Sequence, residues 1–540
     1  MVVLKDKKTI IFLLLILVIA GFFRLWQLGS IPPGLHPDQA ANGLDALLIL
    51  DGHNSPFFER GQGREALYLY LLAGSIGLFG VGIWQTHLVS ALIGILTVIF
   101  TWFLAKKLFN RRVAFFAAFF LAGSAWHITL SRTGFRAILI PLLSTLFFYF
   151  AYLTLKETSK KKRIIFAVLS GISFGLGFYT YISFRMMPAI VGFLMVVILL
   201  TNRRIYKYFW KEIIISFFSA ILTLLPLIIY FLKNPASFVG RSGAVSIFNH
   251  ELNQGNLIGT FWEVLKKTFW MFFTDGDLNW RHNVSGFSVL DPLVSSLFLI
   301  GFFISLLIII QRFTPLEVVG QGEKNKIDNG YFKYLFLIIL FLGMLVPEVL
   351  SAEGIPHSLR AIGVIPAVFF FPAISINFFW EKINPFLKNR NNKIFLGFIL
   401  GIALIAILFY NYNLYFGISA NSSGFYYAYR GDLTTVSNYL NERNLKEKTY
   451  LALDDYSVQT VEFLTSKNNQ PYILVNPDNS YQIKLNPGDQ IIFVQETIFD
   501  FTKQAKISDT KKFEEYHPEV KLIKRKFNQF GEEIIKIYGQ

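Results

Sequence analysis

Apolar stretches of about 20 residues, the length an α-helix needs to cross the hydrocarbon core of a bilayer, recur along this chain and constrain its fold more than any other feature. They lie near residues 9–28, 85–105, 113–130, 138–155, 164–182, 187–201, 212–232, 292–311, 332–349, 359–379 and 393–412. Lipid offers no hydrogen bonds, so each run must satisfy its own backbone as a helix. Composition agrees: 53% of the 540 residues are hydrophobic and 58 are Phe, which makes lipid the main solvent. The expectation is an all-α polytopic membrane bundle of about eleven transmembrane helices over residues 1–412, followed by a C-terminal exterior α/β domain over 413–540.

Charge placement sets the sidedness. The formal net charge is +16, but Lys and Arg fall in short clusters between apolar runs rather than in an aromatic-interleaved stripe, so nucleic acid is excluded as a partner. The run 65–80 is shorter and interrupted by Gly74, Gly77 and Gly80, and reads as a helix lying at the outer interface. If it does not cross, one side of the membrane receives four basic loops together with Lys5, Lys7 and Lys8. Those loops hold Lys106 to Arg112, Lys156 to Arg163, Arg203 to Lys211, and Arg312 with Lys324 and Lys326. The cluster Lys382, Lys388, Arg390 and Lys393 joins the same side. Positive loops stay inside, which implies a multi-pass protein of the plasma membrane with a cytoplasmic N-terminus. Outer loops 29–84 and 233–291 and everything after residue 412 then face outward. Residues 9–23 have the outline of a secretory signal, but the run is long and no small-x-small site follows, so it is expected to stay as an anchor. With no Cys, disulfides, thiolate nucleophiles and Cys-based metal sites are excluded.

After Tyr412 the pattern becomes mixed. Strand-like runs Thr449 to Leu453, Tyr472 to Val475 and Gln490 to Val494 enclose a helical pattern at Val458 to Thr465. Val520 to Lys526 and Glu533 to Tyr538 read as a closing hairpin around Asn528 to Gly531. Asp454-Asp455-Tyr456 reads as a strand-end turn.

Three polar groups stand at the outer ends of the spans. The first is the island Pro32 to Gly43, whose Asp38 follows Pro37 and opens a helix with Ala41, Leu44, Leu47 and Leu48 on one face. Asp38 reads as its N-cap, a role that would hold the carboxylate rigidly, and an ionised Asp with a reference pKa of about 3.9 can take a proton from a hydroxyl at neutral pH. The second is Ser131 to Arg136, with Arg185, and with Arg360 in the segment Pro356-His357-Ser358-Leu359-Arg360. Any one of these arginines reads as a snorkelling side chain; together they suggest an outward cationic cavity suited to a phosphate with a lipid tail. The third is Thr274 to Asn283. Its Asp-x-Asp-x-Asn spacing resembles a calcium loop, but Trp280 replaces the required Gly and Gly286 the bidentate Glu. It reads as a polar turn or as a loop contacting sugar or phosphate. No Walker loop, G-x-S-x-G, H-E-x-x-H or dinucleotide fingerprint is present, which disfavours ATP-driven transport.

In order and sidedness, Pro37-Asp38-Gln39, the interfacial helix, Ser131 to Arg136, Gly276-Asp277 to Asn283 and His357 to Arg360 resemble the GT-C superfamily of membrane glycosyltransferases, in its protein O-mannosyltransferase and aminoarabinose-transferase-like branch. The resemblance covers residues 9–412 and implies a GT-C-like catalytic module. It also implies inverting transfer of a sugar from a polyprenyl-phosphate donor to an acceptor hydroxyl at the outer face, the acceptor being a protein, a lipid or a cell-wall glycan. Asp38 would be the general base. Arg132, Arg136, Arg185, His357 and Arg360 would hold the donor phosphate, and Gln39, Asp277, Asn279, Trp280, Arg281, His282 and Asn283 would contact sugar or acceptor. Two departures matter. Gln39 stands where the family often has Glu, and the turn after the third span carries Arg136 with no carboxylate, so Asp38 acts alone or with Glu59, Glu65, Asp277 or Glu353. No cofactor is expected and a divalent metal is not favoured. The alternatives are a lipid-linked oligosaccharide polymerase or ligase, and a lipid or sugar transporter.

Overall fold

The computed structural model describes residues 7–313, 329–387, 389–442, 448–468, 472–494 and 510–540. Lys5, Lys324, Lys326 and Lys388 of the expected cytoplasmic clusters lie outside the described residues.

A helix forms at each apolar run. In chain order the membrane half contains α1 (Lys7–Leu25), α2 (Pro37–Leu50), α3 (Leu67–Phe79), α4 (Ile83–Leu108), α5 (Arg111–Gly123), α6 (Ala125–Arg132) and α7 (Leu139–Lys156). It continues with α8 (Lys160–Gly177), α9 (Met187–Thr201), α10 (Arg204–Lys233), α11 (Pro235–Val245), α12 (His250–Asn253) and α13 (Leu257–Trp270). The last are α14 (Pro292–Phe313), α15 (Phe332–Val349), α16 (Ala367–Ile383) and α17 (Arg390–Tyr412). Among the described residues, seven helical segments are long and apolar enough to cross a bilayer, or eight if the bent pair α5 and α6 counts as one span. The expected eleven therefore include runs too short, too broken or, as in α8 with Lys160 to Arg163, too charged to qualify on length and composition alone.

Two of the breaks have a local cause. The run 113–130 bends by 58° at Ser124, whose extended backbone starts a second helix and whose hydroxyl accepts the His127 N–H. The freed Ala125 N–H donates to Asn411 Oδ1 at 2.8 Å, so the bend leaves that buried donor satisfied. The run 359–379 opens as a 3-10 turn, Arg360–Val364, and becomes α-helical only after Pro366, because proline removes a helical N–H and restricts the residue before it.

One continuous apolar core joins α4, α5, α7, α15 and α16 around the fully buried Trp102 and Trp126. By contrast α10 and α17 turn most of their apolar surface outward, with Leu222 and Phe409 exposed, as helices solvated by lipid do. The short pair α2 and α3 pack on each other beside α4.

After α17 come α18 (Ser423–Ala428), α19 (Gly431–Glu442), α20 (Val458–Thr465) and α21 (Thr510–Tyr516). A two-stranded ribbon, β1 (Phe57–Phe58) with β2 (Arg64–Glu65), lies in the first loop, and five later strands form one sheet. These are β3 (Thr449–Ala452), β4 (Ile473–Val475), β5 (Gln490–Val494), β6 (Lys521–Phe527) and β7 (Glu533–Gly539), in the order β4-β3-β5-β7-β6. β3 runs parallel to β4 and β5, while β7 is antiparallel to β5 and β6. Ile492 and Val494 of β5 pack toward Leu433, Val436 and Val461, and Ile491 and Phe493 toward Phe513. Both faces are covered, which is why β5 is almost wholly apolar.

This sheet is fastened to α2. The Thr460 hydroxyl donates to the Leu35 carbonyl at 3.0 Å, and Phe463 presses on Gly43 so closely that a Cβ there would lie 2.4 Å from the ring. Gly34 is required in the same way: a Cβ would meet the Tyr429 carbonyl at 2.6 Å.

Candidate active site

The start of α2 differs from the sequence reading in one respect. His36, not Asp38, is the N-cap, because Pro37 lacks an N–H and its fixed φ suits the first helical position. His36 Nδ1 accepts the Asp38 N–H at 3.2 Å, and Gln39 Oε1 accepts the His36 N–H at 3.1 Å, completing a capping box. This gives Gln39 a structural task, and its side chain is wholly buried. The carboxylate of Asp38 is thereby aimed from a rigid first turn while its side chain stays 41% exposed.

Two cations face that carboxylate. Arg64 Nη2 lies 3.6 Å from Oδ1 and Arg281 Nη1 3.5 Å from Oδ2. Arg64 is buried, anchored also by Asn42 Oδ1 at 3.3 Å; burial, against the pull of Asp38, draws its pKa down to about 10. Arg281 Nη1 also donates to His36 Nδ1 at 2.9 Å. An Nδ1 that accepts from both Asp38 and Arg281 belongs to a neutral imidazole, and burial first, then Arg281, holds His36 well below its usual range. From the far end of the chain, the Tyr456 ring meets His36 edge-on at 5.8 Å.

Arg281 belongs to the loop 274–288, which Asp277 organises. Its Oδ1 accepts the Asn279 N–H at 2.8 Å, and Asn279 Oδ1 in turn accepts Arg281 N–H at 3.0 Å and Nε–H at 3.3 Å. Asp277 Oδ2 accepts Ser358 N–H at 2.8 Å, Ser358 Oγ–H at 3.1 Å and His282 Nδ1 at 3.2 Å. One buried carboxylate thus joins the loop to the segment 356–360. Across this joint the His282 and His357 rings stack at 4.4 Å, and Arg360, bonded to Glu353 Oε2 at 2.7 Å, lies close enough to act on both electrostatically. Burial first and these arginines next push His357 well below its usual range; burial also lowers His282, against the opposing pull of Asp277.

Asp277, His282 and His357 bring one ligand atom each within 4.8 Å of the others, a donor set of the type that holds zinc. Against this, Asp277 Oδ2 is committed to Ser358 and His282, and Arg281 and Arg360 add positive charge on both sides. The belt Arg281, His357 and Arg360 suits an oxyanion better than a cation.

The remaining expected residues are held by other partners. Arg132 is wholly buried and donates to three carbonyls, Phe23 at 3.0 Å, Trp26 at 2.7 Å and Ile31 at 2.5 Å, over the rings of Tyr415 and Phe416. It clamps the exit of α1. Arg136 is paired with buried Glu65 at 2.8 Å, and Arg185 donates to the Phe238 carbonyl at 2.6 Å over that residue's ring. Trp280 packs on Gly424 and Phe425, and Asn283 donates to the Phe287 carbonyl at 2.5 Å. Of the other candidate acids, Glu59 is taken by Tyr230 and Ser237. Arg64 and Tyr456 were not among the sequence candidates. Arg64 carried a signal in its place in the loop between α2 and α3; Tyr456 carried none beyond its turn, since only the tertiary fold brings it beside His36.

The profile of the family described as Dolichyl-phosphate-mannose-protein mannosyltransferase matches residues 66–230. In three dimensions the chain is similar to ArnT from Cupriavidus metallidurans bound to undecaprenyl phosphate, with a TM-score of 0.55 at 13% identity over 99% of this chain and 98% of that one. It is also similar to the oligosaccharyltransferase AglB from Archaeoglobus fulgidus, in complex with an inhibitory peptide and a dolichol-phosphate, with a TM-score of 0.55 at 14% identity over 88% of this chain and 65% of that one. No curated protein matches in sequence. The chain has the GT-C fold of these membrane glycosyltransferases.

Proposed function

We propose that this protein is an integral membrane glycosyltransferase that moves a sugar from a polyprenyl-phosphate donor to an acceptor hydroxyl at the outer face, with inversion. The observation that carries the reading is the site around Asp38: a partly exposed carboxylate on a rigidly capped turn, beside the belt Arg281, His357 and Arg360. The two solved neighbours lend support, because one is bound to undecaprenyl phosphate and the other to a dolichol-phosphate.

In this mechanism Asp38 removes the acceptor proton as the acceptor oxygen attacks the anomeric carbon, a contribution of typically about 10² to 10⁴ in rate. The bond from that carbon to the phosphate oxygen breaks, and the electron pair leaves with the lipid phosphate. Arg281 and Arg360, with an N–H of neutral His357, stabilise the departing charge, and Arg64 fixes the carboxylate's orientation. Asp277 and Asn279 hold Arg281 and the two histidines in register. Arg136 and Arg185, which the resemblance assigned to the phosphate, instead brace the two long loops, Arg136 through Glu65 of loop 29–84 and Arg185 through the Phe238 carbonyl of loop 233–291. The role needs no metal. The charge pattern further supports eleven crossings with the N-terminus inside and this site outside.

Membranes containing the protein, supplied with a panel of polyprenyl-phosphate sugars, should yield a product gaining one sugar by mass spectrometry. Lipid that changes leaflet in proteoliposomes with no glycosidic product would replace transfer by transport.

A further inference from the structure

The belt does not present its arginines bare: Arg281 faces Asp38, and Arg360 faces Glu353. Arg360 Nη1–H donates to the Glu353 carbonyl at 2.6 Å and Nη2–H to Glu353 Oε2 at 2.7 Å. The carbonyl belongs to a fixed stretch of backbone. Just before it, the Ile247 N–H donates to the Leu350 carbonyl and the Ala352 N–H to the Val245 carbonyl, both at 3.0 Å, which ties the segment to loop 233–291. Just after it, the His357 N–H donates at 2.7 Å to Oε1 of Glu348, a wholly buried carboxylate that serves the fold. Glu353 is different. Its side chain is 58% exposed against 8% for Arg360, so its carboxylate is the solvent-facing member of the pair.

The reaction proposed above changes the charge of its own lipid. A donor diester carries one negative charge, whereas the lipid monophosphate released from it, with a second pKa of about 6, carries nearly two at neutral pH. Coulomb attraction grows in proportion to ligand charge, so a belt of uncompensated cations holds the product tighter than the donor and would fill with product. A carboxylate beside the belt acts with the opposite sign. It repels the dianion twice as strongly as the monoanion, and so narrows the gap.

We propose that Glu353 is a specificity-determining residue of the belt, whose carboxylate offsets the charge of Arg360 so that the donor diester competes with the lipid monophosphate that transfer releases. This rests on the transferase reading above. Glu353 acts on the phosphate through Arg360, as a positioning residue, and governs which lipid occupies the site between turnovers.

The test is equilibrium binding to the full-length protein in detergent, with undecaprenyl phosphate and its methyl ester as probes, the same lipid with one charge fewer. A solvated unit charge across the width of a guanidinium is worth about fivefold in affinity per unit of ligand charge. Glu353→Gln keeps the carbonyl contact and the shape of the side chain. It should therefore tighten the ester about fivefold and the monophosphate about 25-fold, raising their affinity ratio about fivefold. Glu353→Asp, which restores the charge, should return the ratio to that of the unsubstituted protein. A purely structural role predicts the opposite sign, since a loosened Arg360 weakens both lipids. Weaker binding of the monophosphate to Glu353→Gln, an unchanged ratio, or a ratio that Asp fails to restore would overturn the proposal while the transferase reading stands. If neither lipid binds the unsubstituted protein, the belt is no phosphate site, and that reading fails and takes the proposal with it.

Discussion

Replacing Asp277 with Asn should loosen the joint between the two loops that build the cationic belt. The substitution keeps the shape of the side chain but turns one carboxylate oxygen into an NH₂ group. Oδ2 accepts two bonds from Ser358 and one from His282, while Oδ1 accepts one from Asn279, so wherever the amide nitrogen points it meets a backbone N–H. A bond to a charged acceptor is worth about 1.5–3 kcal/mol, and a buried donor left without a partner costs about 1–3 kcal/mol. The Ser358 hydroxyl can rotate and His282 can change tautomer, which recovers part of this. A net local cost of about 2 kcal/mol remains, equivalent to about a 30-fold larger opening constant. Hydrogen exchange followed by mass spectrometry should therefore show faster exchange in peptides spanning 275–285 and 354–361, with β5 and β7 unchanged. Affinity for polyprenyl phosphate should fall alongside, because Arg281 and His357 lose their relative placement. Unaltered exchange at Ser358 would refute the claim that Asp277 holds the joint.

Arg132→Met should destabilise the fold itself, by at least about 3 kcal/mol, since three carbonyls lose a charged donor. Arg281→Gln should instead weaken lipid-phosphate binding while the detergent-solubilised protein keeps its Tm; the opposite ranking would reverse the assignments. Lowering the pH should reduce stability. His36, His282 and His357 have folded pKa values below the ordinary 6.5, so as pH falls below about 6.5 the unfolded chain takes up protons that the folded one does not. His357→Asn should flatten the dependence of Tm on pH between 7.5 and 5.5, and an unchanged slope would count against the burial argument. In the Cys-free background, Asn54→Cys should react with an impermeant maleimide on intact cells and Lys160→Cys should not; reversed labelling would invert the proposed topology.

The periodicity of apolar runs, which reports directly on burial, made the helical layout and the strands of the last hundred or so residues legible in the sequence. Asp38 could be singled out because proline punctuation and an interfacial helix leave local signals. Arginine roles could not be read that way. Arg132, Arg136 and Arg281 all sit in the turns and loops between apolar runs, yet one clamps carbonyls, one neutralises Glu65 and one faces Asp38, a difference decided by partners far away in the chain. His36 took the cap from Asp38 because the proline occupies the first helical position, which starts α2 two residues earlier. The two bends at Ser124 and Pro366 divided runs that hydropathy alone joins. Tyr456 reached His36 only through the packing of α20 on α2.

The central claim is that Asp38 is the base of a sugar transfer, and Asp38→Asn addresses it with two readings taken on the same preparation. Transfer from the polyprenyl-phosphate donor identified by product mass spectrometry should fall by about 10² or more, while binding of that donor, measured by equilibrium titration, persists. Transfer at the unsubstituted rate with Asn at position 38 would contradict the account.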